Sequence, residues 1–281
     1  MTVPFHKMNG LGNEIVVIDA RDNALALDAD AARLIGSTET GPGCDQIMVI
    51  GPGRDGTDVT TAIWNKSGEE VEACGNGARC VAAYLYKAGL SGDIRMGTLG
   101  GDIVASDAGN GQITIDMGVP RFGWQDIPLA EEIRDTRAIE LQIGPIDAPI
   151  LHSPSVANVG NPHAIFWVKD ADAYDLEKIG PLLENHPMFP ERANISLAQV
   201  IDRNTIRTRV WERGAGATRA CGTAACAIAV SAARKGLTER DVTVHLPGGP
   251  LHILWNDDDH IMMTGPAEFE FDGEIELSGA A

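Results

Sequence analysis

The chain is short of several things. Only 5% of its 281 residues are aromatic, and 22 basic residues face 40 acidic ones, for a formal net charge of −18. No basic stripe interrupts that acidity, which argues against nucleic acid and anionic membrane surfaces as partners. No segment approaches the run of about 20 apolar residues that spans a bilayer. The opening "MTVPFHKMNGLGN" lacks the apolar core and small-residue cleavage site of a secretory signal, so a soluble, cytoplasmic protein is expected. Cysteines are few and odd in number (Cys44, Cys74, Cys80, Cys221 and Cys226), which argues against a disulfide framework. The glycine clusters "GLGN", "GPGCDQ" and "GAGATRA" miss the spacings of dinucleotide and P-loop sites. No motif demands pyridoxal phosphate, a metal or a nucleotide, so no cofactor is expected.

What the chain does have is a repeat. With 44% hydrophobic residues it can build a substantial core, and it carries one pattern twice. "ACGNGARCVAAYLYKAG", from Ala73 to Gly89, is echoed by "ACGTAACAIAVSAARKG", from Ala220 to Gly236. At an offset of 147 Thr61 meets Thr208, Trp64 meets Trp211, Cys74 meets Cys221, Gly118 meets Gly265 and Phe122 meets Phe269. At 148, Gly12-Asn13 meets Gly160-Asn161 and Gly100-Gly101 meets Gly248-Gly249, the slip a loop indel would leave. Several matches in one chain order imply a duplicated domain. The expected boundaries are 1–121 and 122–267, with the tail 268–281 packing back on the first domain.

"NEIVVID", "DQIMVI", "TTAIW", "QITIDM", "HAIFWVK" and "TRVWE" read as strands. The Ala-rich runs Ala78 to Lys87 and Ala224 to Lys235 read as buried helices ending in a basic residue and glycine. Most remaining segments read as short strands between turn residues. The expected fold is α+β: two pseudo-symmetric domains, each a mostly antiparallel sheet wrapped around one central helix, with the active site in the cleft between them.

Each cysteine stands at a helix start, where unpaired N–H groups and the positive end of the dipole converge. A thiol there is expected to have a lowered pKa, and the same N–H groups make a socket for a carboxylate. Two such half-sites would put an acid/base on either face of one carbon. A thiolate could then take an α-proton from one side while a thiol delivers one to the other, inverting the centre. Arg219, close before Cys221, could lower that thiol's pKa or reach solvent. Cys80, Cys226 and Cys44 read as packed core residues. The alternatives are a thiol redox protein and a metal site, although Cys74-x5-Cys80 and Cys221-x4-Cys226 are wider than the pairs zinc prefers.

Taken together, "MNGLGNEIVVID", "GCDQ", "CGNGARC", "GNPHA", "FPERANI", "ERGAG" with "ACGTAACA", "LPGG" and "TGPA" resemble the diaminopimelate epimerase family over nearly the whole chain. The resemblance implies a cofactor-independent two-cysteine epimerase acting in lysine and peptidoglycan precursor synthesis. Cys74 and Cys221 then match the catalytic acid/bases, and Gly75-Asn76 and Gly222-Thr223 the amide pairs that hold the reacting carboxylate. Glu212 matches a carboxylate near the reacting amine, and His163 a residue supporting catalysis. Asn13, Gln46, Asn65, Asn161, Asn194 and Arg213 match the polar shell around the substrate. Phe271 matches an aromatic position at a dimer contact, so a homodimer is implied. The chain departs from the family's usual pattern at Asn9, Cys44, Ser67, Glu69 and Ala217, none of which removes a cysteine or an amide pair. A proline racemase-like epimerase on the same duplicated fold is the nearest alternative. The carboxamides and Arg213 argue against a compact apolar substrate, because such groups left unpaired when buried cost about 1–3 kcal/mol each.

Overall fold

The computed structural model describes residues 1–23, 25–72 and 74–277, so Ala73 of the first Ala-Cys-Gly and the last four residues of the tail lie outside the described residues. The chain divides into two compact units, Met1–Asp116 with Thr264–Ala281, and Met117–Met263.

In the first unit the strands are β1 (Thr2–Asn9), β2 (Glu14–Asp19), β3 (Gln46–Pro52), β4 (Val59–Asn65), β5 (Glu70–Val71), β6 (Ile94–Thr98), β7 (Gly101–Gly109) and β8 (Gln112–Asp116). Helix α1 (Ala29–Gly36) follows β2, and α2 (Gly75–Lys87) follows β5. Neighbouring strands pair antiparallel except β2 with β3 and β4 with β6, which run parallel. The parallel pairs need crossovers, and the two helices supply them. In β3, Ile47, Met48, Val49 and Ile50 are all buried, because both faces of the strand are covered. Ile47 and Val49 pack into a cluster with Ala32 and Ile35 of α1. Met48 lies against Gly77 of α2, where a Cβ would sit 2.5 Å from its sulfur.

In α2, eight residues between Asn76 and Leu85 are buried, as befits a helix enclosed by its sheet. It ends at Lys87, before Gly89 at φ +100. The helix begins three residues before the expected Ala78. Gly-Asn-Gly has poor helix propensity, but the Cys74 cap and the packing of Gly77 override it.

The second unit opens with an irregular stretch. Residues 122–141 hold no strand or helix, where short strands were expected. Their apolar residues Ile127, Leu129, Ile139 and Leu141 nevertheless pack into the unit's core. Backbone bonds inside this stretch close local turns, as from Ile127 to Gly123 and Leu129 to Trp124. Alternating apolar residues therefore bury themselves here without a strand partner.

Then come the short pair β9 (Gln142–Ile143) and β10 (Leu151–His152), β11 (Ser155–Asn158), β12 (Pro162–Trp167), α3 (Leu176–Glu184), β13 (Asn194–Asp202), β14 (Thr205–Glu212), β15 (Gly216–Thr218), α4 (Gly222–Arg234), β16 (Asp241–Leu246) and β17 (Gly249–Trp255). The pairing of the first unit recurs: β12 parallel to β13, β14 antiparallel to β13 and β15, β14 parallel to β16, and β16 antiparallel to β17. Register recurs as well. Gln46 faces Asn65 and Ile47 faces Trp64 in the first unit, as Ile195 faces Trp211 in the second. Both Cys-capped helices are 13 residues long. Repeated strand order, register and helix length make the halves two copies of one α+β unit.

Strand β18 (Ile261–Pro266) leads to β19 (Glu268–Glu276), which pairs antiparallel with β1 from Thr2↔Glu276 to Asn9↔Glu268. The tail thus completes the first unit. Among the described residues no helix is long and apolar enough to cross a membrane.

Candidate active site

Cys74 is the N-cap of α2, extended at φ −150, and its sulfur accepts the Gly77 N–H at 3.2 Å. A thiol here takes the place usually held by a Ser or Asp cap. The short loop between β1 and β2 presents Asn13 to Asn76 in the first turn of α2. That loop turns through Leu11 at φ +62 and Gly12 at φ +82, and the Gly12 N–H donates to Asn9 Oδ1 at 2.6 Å. Asn76 Nδ2 reaches Asn13 Oδ1 at 3.5 Å, and Asn13 Nδ2 donates to Asp45 Oδ2 at 3.2 Å. A second amide pair forms where β3 meets β4, Gln46 Nε2 donating to Asn65 Oδ1 at 3.0 Å. Adjacent strand ends thus bring together carboxamides that are far apart in sequence.

Two charged residues of this half-site were not singled out in the sequence. Arg79 is fully buried under the start of α2, donating to Asn76 Oδ1 at 2.9 Å and to the Gly75 and Pro266 carbonyls. Asp45 holds Asn13 and pairs with Lys66 at 3.0 Å. Burial pushes the Asp45 carboxyl up, but the Lys66 ammonium and the Glu14 N–H outweigh it and hold the group below its usual range. "CGNGARC" and "GCDQ" contained both residues; what was missing was any sign that the charges turn inward.

The other half-site is built the same way with different chemistry. Cys221 caps α4 at φ −135, with its sulfur 3.5 Å from Thr223 Oγ1. Glu212, at the end of β14, accepts from the Thr218 hydroxyl and acts electrostatically on the Cys221 thiol. Burial and the Glu212 charge push Cys221 well above the usual thiol range. The expectation of a lowered pKa is therefore corrected for Cys221: desolvation and a neighbouring carboxylate outweigh the helix start. Arg219 is exposed and takes no part in this. Burial also raises Glu212, against the Thr218 hydrogen bond and the neighbouring Cys221 thiol. Cys44 and Cys80 are core residues, their thiols pushed up to about 12 by burial.

His163 is fully buried on β12, its Nε2 2.7 Å from Asn161 Oδ1. Burial, and secondarily the Arg213 charge, lower its pKa to about 3, so the imidazole is neutral and donates to Asn161. Asn194, buried at the start of β13, donates to the Pro162 carbonyl at 3.1 Å and accepts the Arg213 N–H at 2.9 Å. The Arg213 guanidinium donates to the Glu191 carbonyl at 2.9 Å. The predicted residues of this unit thus form three contacts: Asn161 with His163, Asn194 with Arg213, and Glu212 with Cys221. Phe271 stands apart on β19, 46% exposed beside Phe269 at 44%.

The arrangement can exchange protons at two sulfurs, each at the mouth of a helix whose first N–H groups favour an anion. Comparison with known proteins identifies the family. Residues 5–123 and 155–270 match the family model described as diaminopimelate epimerase. The chain is 60% identical over 275 residues to the diaminopimelate epimerase of Brucella anthropi, covering 97% of this chain and 91% of the relative. It is 58% identical to that of Brucella canis, covering 97% and 90%. Among solved structures, a phenazine biosynthesis protein of the PhzF family from Enterococcus faecalis superposes with a TM-score of 0.70 at 11% identity, covering 99% of this chain and all of that one. A hydroxyproline epimerase from Agrobacterium vitis gives 0.67 at 14%, covering 98% and 93%. At such identities these two establish the fold alone.

Proposed function

The chain belongs to the diaminopimelate epimerase family, and on that basis we propose that it interconverts LL- and meso-2,6-diaminopimelate through a thiolate and a thiol, with no cofactor. One observation carries the mechanism: each copy of the repeat starts its 13-residue helix on a capping cysteine. Cys74 and Cys221 act on opposite faces of the reacting Cα. The first N–H groups of both helices, at Gly75-Asn76 and Gly222-Thr223, hold the α-carboxylate and stabilise the charge that develops as the proton leaves.

Glu212 receives the ammonium of the reacting centre. An ammonium there neutralises the charge that raises Cys221, so substrate itself eases ionisation of that thiol. Asn13, Gln46, Asn65, Asn161, Asn194 and Arg213 bind the polar groups, the distal carboxylate falling to Arg213, whose planar fork suits it. His163, buried and neutral, acts through Asn161 by fixing its orientation. The enzyme works in the cytoplasm as a homodimer, with the exposed Phe271 and Phe269 of β19 at the contact.

The test is incubation of reduced protein with LL-diaminopimelate in D2O. Deuterium at Cα, with conversion to an LL/meso mixture, is the expected result. If a reduced, folded sample gives neither exchange nor inversion, the substrate is wrong, and other amino acids with a polar distal end come next.

A further inference from the structure

Glu184, the last residue of α3, is the one acidic residue that is buried among the described residues, its side chain 7% exposed. Burying a carboxylate is costly unless it is fully hydrogen-bonded, and this one has three donors. Oε2 accepts the Trp211 indole N–H at 2.7 Å. Oε1 accepts the Gly214 N–H at 3.0 Å and the Arg192 guanidinium at 3.1 Å. Trp211 immediately precedes Glu212-Arg213 and Gly214 immediately follows, so one carboxylate grips the chain on both sides of that pair. Gly214 is at φ +76, a left-handed turn position that glycine adopts without strain. The indole is also clamped from α3 itself: a Cβ on Gly180 would lie 2.4 Å from its ring. Arg192, at φ +60, adjoins Glu191, whose carbonyl takes the Arg213 guanidinium.

The first unit supplies an internal control. At the offset of 148 that aligns β3 with β13, Glu184 falls on Gly36, the last residue of α1. Trp64 holds the place of Trp211, Asn65 that of Glu212, and Lys66 that of Arg213. There Gly36 packs directly on Lys66, which pairs with Asp45 instead. The repeat therefore folds without a carboxylate at this position, and the carboxylate occurs in the copy that ends its strand in Glu-Arg.

We propose that Glu184 is a positioning residue that sets Glu212 and Arg213 for substrate, by holding Trp211 and Gly214 on either side of them. The proposal rests on the reading of Glu212 and Arg213 as substrate-binding groups. A carboxylate accepts from both sides at once. An amide there presents an NH2 to at least one N–H, loosening one end of the Glu212-Arg213 segment.

The test compares wild type with Glu184→Gln in three readouts. The first is the indole N–H resonance of Trp211 in protein labelled with 15N-tryptophan, assigned with Trp211→Phe. The second is the pH profile of Cys221 alkylation by iodoacetamide, read by peptide mapping. The third is kcat and KM for LL-diaminopimelate. In Glu184→Gln the Trp211 resonance should move while the other four indole signals stay in place. Cys221 should alkylate at lower pH as Glu212 drifts from it, and KM should rise about 10-fold or more with a smaller change in kcat. Glu184→Asp keeps the charge and the partner Arg192 but is too short to grip both sides; it should show a smaller change of the same kind, and it replaces the Gln variant if that one does not fold.

A shifted indole signal with the Cys221 profile and KM of wild type would reduce Glu184 to packing and overturn the proposal, as would no change in any readout. Wild-type protein inert toward diaminopimelate would instead overturn the substrate reading. The Cys221 profile, which needs no substrate, would still decide the role of Glu184.

Discussion

The Glu212 carboxylate at the end of β14 acts on the Cys221 thiol at the start of α4, and the pair push each other in opposite directions. Cys221 moves further up from a level that burial has already raised, while Glu212 is drawn down against its own burial. In the free protein this half-site therefore stores its proton on sulfur. Its pseudo-symmetric counterpart has Asn65 where Glu212 stands and a buried arginine, Arg79, under the helix start. The duplication kept the geometry and made the electrostatics unequal.

Replacing Glu212 with Gln removes the charge that raises Cys221. Alkylation of Cys221 should then become faster at any fixed pH between 7 and 9, because more of the thiol is ionised. Epimerase activity should fall about 10²- to 10⁴-fold despite the more reactive sulfur. Peptide-resolved iodoacetamide kinetics measure the first, and an unchanged Cys221 rate would show that Glu212 does not set its ionisation.

Cys74→Ala and Cys221→Ala should each lower kcat about 10²- to 10⁴-fold, and the double variant should lose little more than either single one, since an acid and a base acting together fail together. Steady-state rates on LL-diaminopimelate test this. Losses that multiply in the double variant would mean that each cysteine acts alone.

His163 ties stability to pH. Its pKa is about 3 in the folded protein against 6.5 for an unburied imidazole, burial being the main cause. Between those values the unfolded chain binds a proton that the native state does not, so stability rises with pH there. The contribution is complete above about pH 6.5, amounts to roughly 5 kcal/mol, and is lost as the pH falls toward 3. Urea midpoints at pH 7, 6 and 5 should therefore fall less steeply in His163→Gln than in wild type. Parallel curves would contradict the neutral, buried imidazole.

Arg79 is fully buried, and its guanidinium donates to oxygens of Pro266, Gly75 and Asn76. Arg79→Met should destabilise the fold by about 3–5 kcal/mol by stranding those acceptors. Arg79→Lys should not restore stability, since a single ammonium cannot reproduce the planar fork. Chemical denaturation gives both numbers, and full rescue by lysine would reduce Arg79 to a buried charge without directional bonds.

Much of this molecule is determined by local sequence. Cys-Gly followed by small residues and an apolar run specifies a capped, buried helix. Doing so twice, with Trp64 and Trp211 in step, specifies a repeat, because periodicity and capping act over a few residues. Strands such as "DQIMVI" and "TRVWE" declare themselves the same way.

What tertiary structure alone decided is where charges point and which strands meet. Glu184 at the end of a helix, or Arg79 within one, has the sequence signature of a solvated charge. Only the packing of α3 on Trp211, and of the tail strands on α2, turns each inward toward its partners. Cys221 shows the same limit: a helix start favours thiolate, but burial and a carboxylate from the end of β14 favour thiol, and those are long-range effects. Ionisation depends on everything within a few ångströms, and most of what lies that close to these groups comes from far along the chain.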